Sequence, residues 1–383
     1  MTVTAPKGFS ASGVAAGLKS SGDPDVALVL NTGPEDVAAA VFTTNRFPAA
    51  PVVWSRQVLA GQRCRAVVLN SGGANACTGP EGFADTHATA EHAAAELGIG
   101  AIDIAVASTG LIGMRLPMEK LTVGVTAAVK ALSEDGGPDA ARAIMTTDSV
   151  PKTTVRGRDG WMIGGMAKGA GMLAPALATM LVVLTTDAVV PPLLLRSALK
   201  TATSLSFERV DSDGCLSTND TVLVMSSGAS GITPSVEEFT EALTAAATDL
   251  AMQLLADAEG STKDIAITVR NAATVDDALT AGRACARNNL LKTALFGNDP
   301  NWGRVLAAIG TTDAAFEADR VDVTINGVTV CRGGSIGDPR EGVDLTGRAI
   351  TIDVDLGAGD QTATIWTNDL SIAYVHENSA YST

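Results

Sequence analysis

Two segments in the first half of the chain share one pattern of hydrophobic and polar positions. "RAVVLNSGGANACTG" (65–79) and "DIAVASTGLIG" (103–113) each begin as a short apolar run and end in a loop of Ser, Thr, Asn and Gly. Such runs predict buried strands with polar loops at their carboxyl ends. Residues 82–98, between them, have helical composition, and Gly98 suits a helix end. The order strand, helix, strand predicts an α/β fold.

Further helices are indicated by their start signals. Residues 117–133 predict a helix with Pro117 in its first turn. In "TPSVEEF" (233–239) the Ser235 side chain can cap a helix while Glu238, three residues later, returns the bond. The sequence therefore predicts a helix that begins at this point.

Beyond residue 263 the pattern becomes more typical of strands. Residues 264–272 predict a strand, and residues 320–334 predict a hairpin with Asn326-Gly327 at its turn. Residues 349–371 alternate around a Gly-rich turn, as paired strands do. We therefore expect a larger domain over 1–262 and a smaller, β-rich α/β domain over 263–383.

Composition narrows the class of partner. The 27 basic and 42 acidic residues give a net charge of −15, which disfavours nucleic acid and anionic membranes. Five scattered Cys without a CxxC pair and three His without an HExxH motif indicate no metal site. The N-terminal residues lack a signal-peptide core, and the apolar stretch at 173–184 is too short to cross a bilayer. We expect a cytoplasmic protein.

One hydroxyl, Thr179, interrupts the apolar segment "LAPALATMLVVL" (173–184). A threonine at a new N-terminus can act as a nucleophile, because its own α-amine, with a pKa of about 7.7–8.0, is the base. The chain can make the required cut itself if the hydroxyl attacks the preceding carbonyl and water resolves the ester. This step needs a small preceding residue, and Ala178 meets that need. A core threonine bonded to a backbone carbonyl is the alternative, which these residues alone leave open.

Several long motifs occur in an order that resembles one known family. They are "NSGGANACTG" (70–79), "ASTGLIG" (107–113), "MTTDSVPK" (145–152), "GGMAKGAGMLAPALATMLVVLTTDA" (164–188), "SFERVDSDGCLSTNDTV" (206–222), "DAEGSTKD" (257–264), "FGNDPNWGRV" (296–305) and "YVHENSAYST" (374–383). Together they span nearly the whole chain. The chain resembles the ornithine acetyltransferases, also called glutamate N-acetyltransferases.

The resemblance implies a fold and an activity. The fold would be two facing β-sheets flanked by helices (αββα), with a smaller C-terminal domain. The chain would cleave itself between Ala178 and Thr179 into an α chain (1–178) and a β chain (179–383). Thr179 would take acetyl from N2-acetylornithine and pass it to glutamate through an acetyl-threonine ester. No cofactor is implied, although some members use acetyl-CoA as the donor, and the cleaved chains would assemble as α2β2 or larger.

The resemblance also assigns roles to individual residues. The oxyanion hole falls on Thr109 and Gly110, where a hydroxyl and a backbone N–H from one loop could face the developing charge. The positions implied to contact substrate are Thr146, Lys168, Thr179, Glu259, Asn378 and Thr383. Lys168 could bind a substrate carboxylate, and Glu259 could pair with the side-chain amine of ornithine.

Two segments depart from the resemblance or add nothing to it. Gly73 stands where the family usually has Asn, so the role of that loop is open. Within "FGNDPNWGR" (296–304), residues 299–303 predict a tight turn, to which we assign a structural role. Thr-Thr-Asp occurs at 146, 185 and 311 without flanking similarity, which we interpret as coincidence.

Three alternative functions remain. A self-processing aminopeptidase or amidase would form the same acyl-enzyme but use water as the acceptor. An acetyltransferase of secondary metabolism would have relaxed specificity. A non-enzymatic amino-acid-binding protein would keep the fold without cleaving.

Overall fold

The computed structural model describes residues 2–174 and 180–380. Within these ranges the strands are β1 (Phe9–Val14), β2 (Val26–Asn31), β3 (Val37–Phe42), β4 (Ala66–Asn70), β5 (Ile104–Ser108), β6 (Lys152–Arg158), β7 (Trp161–Lys168), β8 (Leu181–Thr186), β9 (Thr221–Ser226), β10 (Asp264–Ala272), β11 (Asp322–Ile325), β12 (Val328–Arg332), β13 (Ser335–Ile336), β14 (Ala349–Asp355) and β15 (Gln361–Asn368). The α-helices are α1 (Ala50–Val58), α2 (Gly79–Leu97), α3 (Met118–Lys130), α4 (Gly137–Ala143), α5 (Pro192–Leu205), α6 (Val236–Ala256), α7 (Val275–Ala286), α8 (Asn289–Phe296), α9 (Trp302–Ile309) and α10 (Ile372–Ala380).

The first part of the fold consists of two facing sheets. One has the strand order β1-β2-β4-β5, and the other has the order β3-β9-β8-β7-β6. Because successive side chains of a strand point to opposite faces, β8 contributes to two cores. Leu181 and Val183 join a buried cluster with Val29 and Val68 of the first sheet, whereas Val182 and Leu184 pack with residues of α5 and α6. Helices α1, α2 and α3 contact the first sheet. This arrangement confirms the αββα prediction.

The β-rich part of the chain forms a third sheet with its own core. Its strand order is β13-β12-β11-β14-β10-β15, and α7 and α9 pack on it. The buried cluster of this sheet draws only on residues 265–365. The division into domains 1–262 and 263–383 stays a prediction. No helix in the described part of the chain is long and apolar enough to cross a membrane.

The local signals in the sequence are mostly confirmed. Ser235 and Glu238 form the capping box at the start of α6. Asn326 and Gly327, both with positive φ, join β11 to β12. The tight turn predicted for 299–303 is wrong in part, because Trp302 already begins α9 and only residues 299–301 lie in a loop. The apolar residues Trp302, Val305 and Leu306 pack against the third core, and this burial continues the chain as a helix.

Candidate active site

Two loops meet at the carboxyl ends of the parallel strands β4 and β5. The Thr109 N–H donates to the Asn70 carbonyl (3.0 Å), and the Gly73 N–H donates to the Thr109 carbonyl (3.0 Å). Gly110 has φ +129°, and an added Cβ would lie 2.9 Å from the Gly73 nitrogen. Glycine is therefore required at Gly110, and the loop that carries Gly73 takes part in fixing Thr109.

These loops open into a cavity. The structure brings together around it all six of the described residues to which the sequence assigned a role. Its lining is Thr109, Gly110, Thr146, Thr147, Lys168, Gly171, Met172, Glu259 and Asn378. Ala178, Thr179 and Thr383 lie outside the described residues. The catalytic and binding roles of all these residues stay predictions.

Lys168 is a buried lysine at the edge of this cavity. It ends β7, where its register partner is Leu181 at the start of β8, and it is only 2% exposed. Its Nζ donates to Thr109 Oγ1 at 3.2 Å. Burial lowers the pKa of Lys168, and Asp148 opposes this effect. The side chain thus places its terminal nitrogen next to the Thr109 hydroxyl.

Asp148 lies between two segments of the site. Its Oδ1 accepts from Lys152 Nζ (2.6 Å) and from the Gly169 N–H (2.7 Å), and its Oδ2 accepts from the Thr146 N–H (2.9 Å). Burial opposes ionisation, but Lys168 and Lys152 outweigh it, and the pKa of Asp148 falls to about 2. Asp148 is therefore a buried carboxylate at neutral pH.

The C-terminal helix completes the cavity wall opposite the β5 loop. The Glu259 N–H donates to the Ala170 carbonyl at 2.9 Å. Ser371 Oγ donates to the Gly260 carbonyl (2.5 Å) and accepts from the Tyr374 N–H (2.9 Å). This contact fixes the start of α10 beside Glu259, and α10 then carries Asn378 to the cavity.

The start of β8 is fixed by the residues that precede β9. Asp220 is fully buried, and its Oδ1 accepts from the Met180 N–H at 3.1 Å. Burial raises the pKa of Asp220 well above its usual value. Asn219 Nδ2 donates to the carbonyls of Ala74 (2.6 Å) and Ser108 (2.7 Å). Met180 is thereby linked to both loops of the site.

A second cavity, which Glu259 also lines, lies where the β-rich part of the chain meets residues 212–213. Buried Lys292 donates to the Ser212 carbonyl and to Thr367 Oγ1 (3.0 Å), and burial lowers its pKa to about 8. Arg287 Nε donates to Asp211 Oδ2 at 2.7 Å, yet burial raises the pKa of Asp211 to about 6. These contacts join residues 287–292, beside the third sheet, to residues 211 and 212, which precede β9.

Sequence reasoning missed Asp148, Lys152 and Asp220. The available signal was the repeated Thr-Thr-Asp, which we interpreted as coincidence. Two of its copies end in a buried Asp that accepts backbone N–H groups, namely Asp148 and Asp187. Among the residues that the structure describes, no group of three His, Cys, Asp or Glu side chains could hold a metal ion.

Known proteins match this chain over nearly its whole length. A family model described as the ArgJ family matches residues 10–383. An arginine biosynthesis bifunctional protein ArgJ of Streptomyces coelicolor is 64% identical over 382 residues, covering 100% of both chains. A protein of the same name from Mycobacterium tuberculosis H37Rv is 59% identical, covering 99% of this chain and 96% of the relative.

Solved structures of similar proteins align with parts of the chain. Ornithine acetyltransferase from Mycobacterium tuberculosis, in complex with ornithine, is 59% identical with a TM-score of 0.45, covering 47% of this chain and 96% of that one. The Bacillus halodurans protein is 33% identical with a TM-score of 0.49, covering 51% and 97%. The family match over residues 10–383 and the identity of 64% with a full-length relative show that this chain is a member of the ArgJ family.

Proposed function

We propose that this enzyme transfers acetyl from N2-acetylornithine to glutamate, giving ornithine and N-acetylglutamate. The nucleophile is Thr179, freed by self-cleavage after Ala178. One observation carries the proposal: the six described residues to which the family resemblance assigns a role line a single cavity, although they come from five separate segments of the chain. The names of the relatives, which include an ornithine acetyltransferase, support the same substrate class.

The chemistry follows from an N-terminal threonine. The α-amine of Thr179 takes the hydroxyl proton, and Oγ1 attacks the acetyl carbonyl of N-acetylornithine. The tetrahedral intermediate collapses, the C–N bond breaks, and the amine of ornithine leaves with the proton. The amine of glutamate then attacks the acetyl-threonine ester, its proton passes to the α-amine, and N-acetylglutamate leaves with the hydroxyl restored.

The developing oxyanion is met by the loop after β5. The Gly110 N–H is one donor, and the Thr109 hydroxyl is the other. Because Thr109 Oγ1 accepts a hydrogen bond from Lys168, its own proton is available to donate into the cavity. The ammonium behind it polarises the hydroxyl, which strengthens that donation.

Substrate recognition uses the charged and polar groups around the cavity. Glu259 pairs with the side-chain ammonium of ornithine, and Lys168 contributes positive charge towards the substrate carboxylate. The remaining substrate contacts are Thr146, Asn378 and Thr383. The same site would accept acetyl from acetyl-CoA if the enzyme is bifunctional. The enzyme acts in the cytoplasm in arginine biosynthesis, and its cleaved chains assemble as α2β2 or larger.

Electrophoresis under denaturing conditions tests the nucleophile. The wild-type enzyme is expected to run as two fragments, with Thr179 as the N-terminal residue of the larger one. Thr179→Ala should give one intact, inactive chain, whereas Thr179→Ser, which keeps a hydroxyl, should still cleave. An active wild-type enzyme with an intact chain would exclude this mechanism.

A second assay separates transfer from hydrolysis. The enzyme is mixed with N-acetylornithine in the presence and absence of glutamate, and the release of ornithine is followed. A transferase should release ornithine in repeated turnovers only when glutamate is present. Equal rates without glutamate would indicate an amidase, and N-acetylglutamate formed from acetyl-CoA alone would establish the second donor.

A further inference from the structure

Asp148 joins two segments of the site that are distant in sequence. Its carboxylate accepts the N–H of Thr146, which lines the cavity, at 2.9 Å, and the N–H of Gly169, which directly follows Lys168, at 2.7 Å. One carboxylate therefore fixes the backbone of two neighbouring segments of the cavity wall. A displacement of about 1 Å at a reacting site can cost about 100-fold in rate.

Charge reinforces this geometry. Lys152, which is fully buried, donates to Asp148 Oδ1 (2.6 Å) and to Asp257 Oδ2 (2.5 Å). The charged groups that face Lys168 are Asp148, Lys152, Asp220 and Glu259. Among the carboxylates, Asp148 has the largest effect on Lys168. Asp148 thus fixes the backbone at Thr146 and Gly169 and also favours the charged form of Lys168.

We propose that Asp148 is a positioning residue for the acyl transfer: it fixes Thr146 and the Lys168–Gly169 peptide, and so keeps the Lys168 ammonium directed at the Thr109 hydroxyl. This inference rests on the function proposed above. Asp148 itself acts through these neighbours and contacts no reacting atom.

The chain offers a matched control in Asp187. It is 2% exposed and also accepts two backbone N–H groups, from Lys7 (3.1 Å) and Met162 (2.8 Å). It also ends a Thr-Thr-Asp tripeptide. However, it lies beyond the far end of β8, about 20 Å along the strand from the residue that pairs with Lys168. Asp187 therefore has the structural role of a buried carboxylate without the contact to the site.

The test compares Asp148→Asn with Asp187→Asn. Each variant is measured for self-cleavage, Tm, kcat and KM, and the pH profile of kcat/KM. We expect Asp148→Asn to lower kcat/KM by about 10- to 100-fold. Asp187→Asn should lower Tm but keep kcat/KM close to the wild-type value. A loss of kcat/KM that is equal in both variants would overturn the proposal.

The pH profile gives a readout that a purely structural role would not change. Transfer needs Lys168 charged, so kcat/KM should fall as the pH rises through the pKa of Lys168. Without the Asp148 charge, which raises that pKa, the descending limb should move to lower pH. In Asp187→Asn, the descending limb of the kcat/KM profile should stay at the same pH as in the wild type. An unmoved limb in Asp148→Asn would contradict the inference.

A second variant covers the case in which Asp148→Asn folds poorly. Asp148→Asn combined with Lys152→Met removes the buried pair, which is often neutral for stability. Asp257 loses its bond from Lys152 but still accepts hydrogen bonds from the Ser149 N–H and hydroxyl. Stability should recover while kcat/KM stays low. If activity recovers together with stability, the inference is wrong. A wild-type enzyme that neither cleaves nor transfers acetyl would instead refute the proposed function itself.

Discussion

The hydrogen bond from Lys168 Nζ to Thr109 Oγ1 (3.2 Å) predicts that these two side chains act as one unit. Thr109→Val removes the hydroxyl with little change of shape, and Lys168→Met removes the charge but keeps much of the stem. If Lys168 acts by strengthening the Thr109 donor, its contribution should disappear once the hydroxyl has gone. The four proteins of the double-mutant cycle measure this dependence directly.

The expected loss of kcat in each variant follows from the kind of hydrogen bond that the substitution removes. Loss of one oxyanion donor costs about 2.7–4 kcal/mol, so Thr109→Val should lower kcat by about 100- to 1,000-fold. A hydrogen bond to a charged group is worth about 1.5–3 kcal/mol, which sets the expected loss for Lys168→Met. The double variant should lose little more than Thr109→Val alone. The coupling energy should therefore be about 1.5–3 kcal/mol.

The assay is acetyl transfer from N-acetylornithine to glutamate, with Tm measured for each variant. Lys168→Met should not unfold the enzyme, because it removes the desolvation cost of a buried ammonium and leaves Asp148 paired with Lys152 at 2.6 Å. Losses that add to within about 0.5 kcal/mol would refute the reasoning. They would mean that the effect of Lys168 on kcat comes only from its proposed interaction with the substrate carboxylate and not through Thr109.

Two further predictions concern stability. Gly110→Ala should lower the free energy of unfolding in urea by more than Gly113→Ala does. Both glycines have positive φ (+129° and +85°), and this strain alone costs about 1–3 kcal/mol, but only at Gly110 would the added Cβ meet backbone, 2.9 Å from the Gly73 nitrogen. Equal losses in the two variants would contradict a role for this contact. Asp211 has a pKa raised by burial to about 6, so the folded state binds more protons than the unfolded state between pH 4 and 6, and stability falls as the pH rises through this window. Relative to the wild type, Asp211→Asn should therefore gain up to about 3 kcal/mol between pH 4 and 7, and a difference that does not change with pH would show that the carboxyl titrates normally.

The parts of the fold that were predictable are those in which the signal is local. The capping box of Ser235 and Glu238 spans four residues, and the Asn326-Gly327 turn requires positive φ, which few residues adopt. Both were readable because neighbouring residues alone decide the conformation. The strand-end loops carrying Thr109 were recognised in the same way, as polar residues directly after an apolar run.

The contacts that organise the site were not readable from the sequence, because they join distant residues. Lys168 and Thr109 are 59 positions apart, and no local pattern indicates that their side chains meet. Asp148 resembles any polar residue in a loop until the fold buries it against Lys152. Even Trp302 was assigned to a turn, because its burial against the third sheet depends on a strand that comes later in the chain. Tertiary packing decided each of these cases.

The strand order β3-β9-β8-β7-β6 has a consequence for the two products of the proposed cut. Strands β8 and β9 of the second fragment sit between β3 and β7 of the first, with six register pairs at each of the two boundaries. The two fragments would thus share one sheet, and their dissociation would require the hydrogen bonds between β3 and β9 and those between β7 and β8 to break together. Halves produced separately would each expose unpaired strand edges, which favour aggregation. Under the proposed cleavage, the uncut chain would bring β3, β9, β8 and β7 into register before the cut divides them.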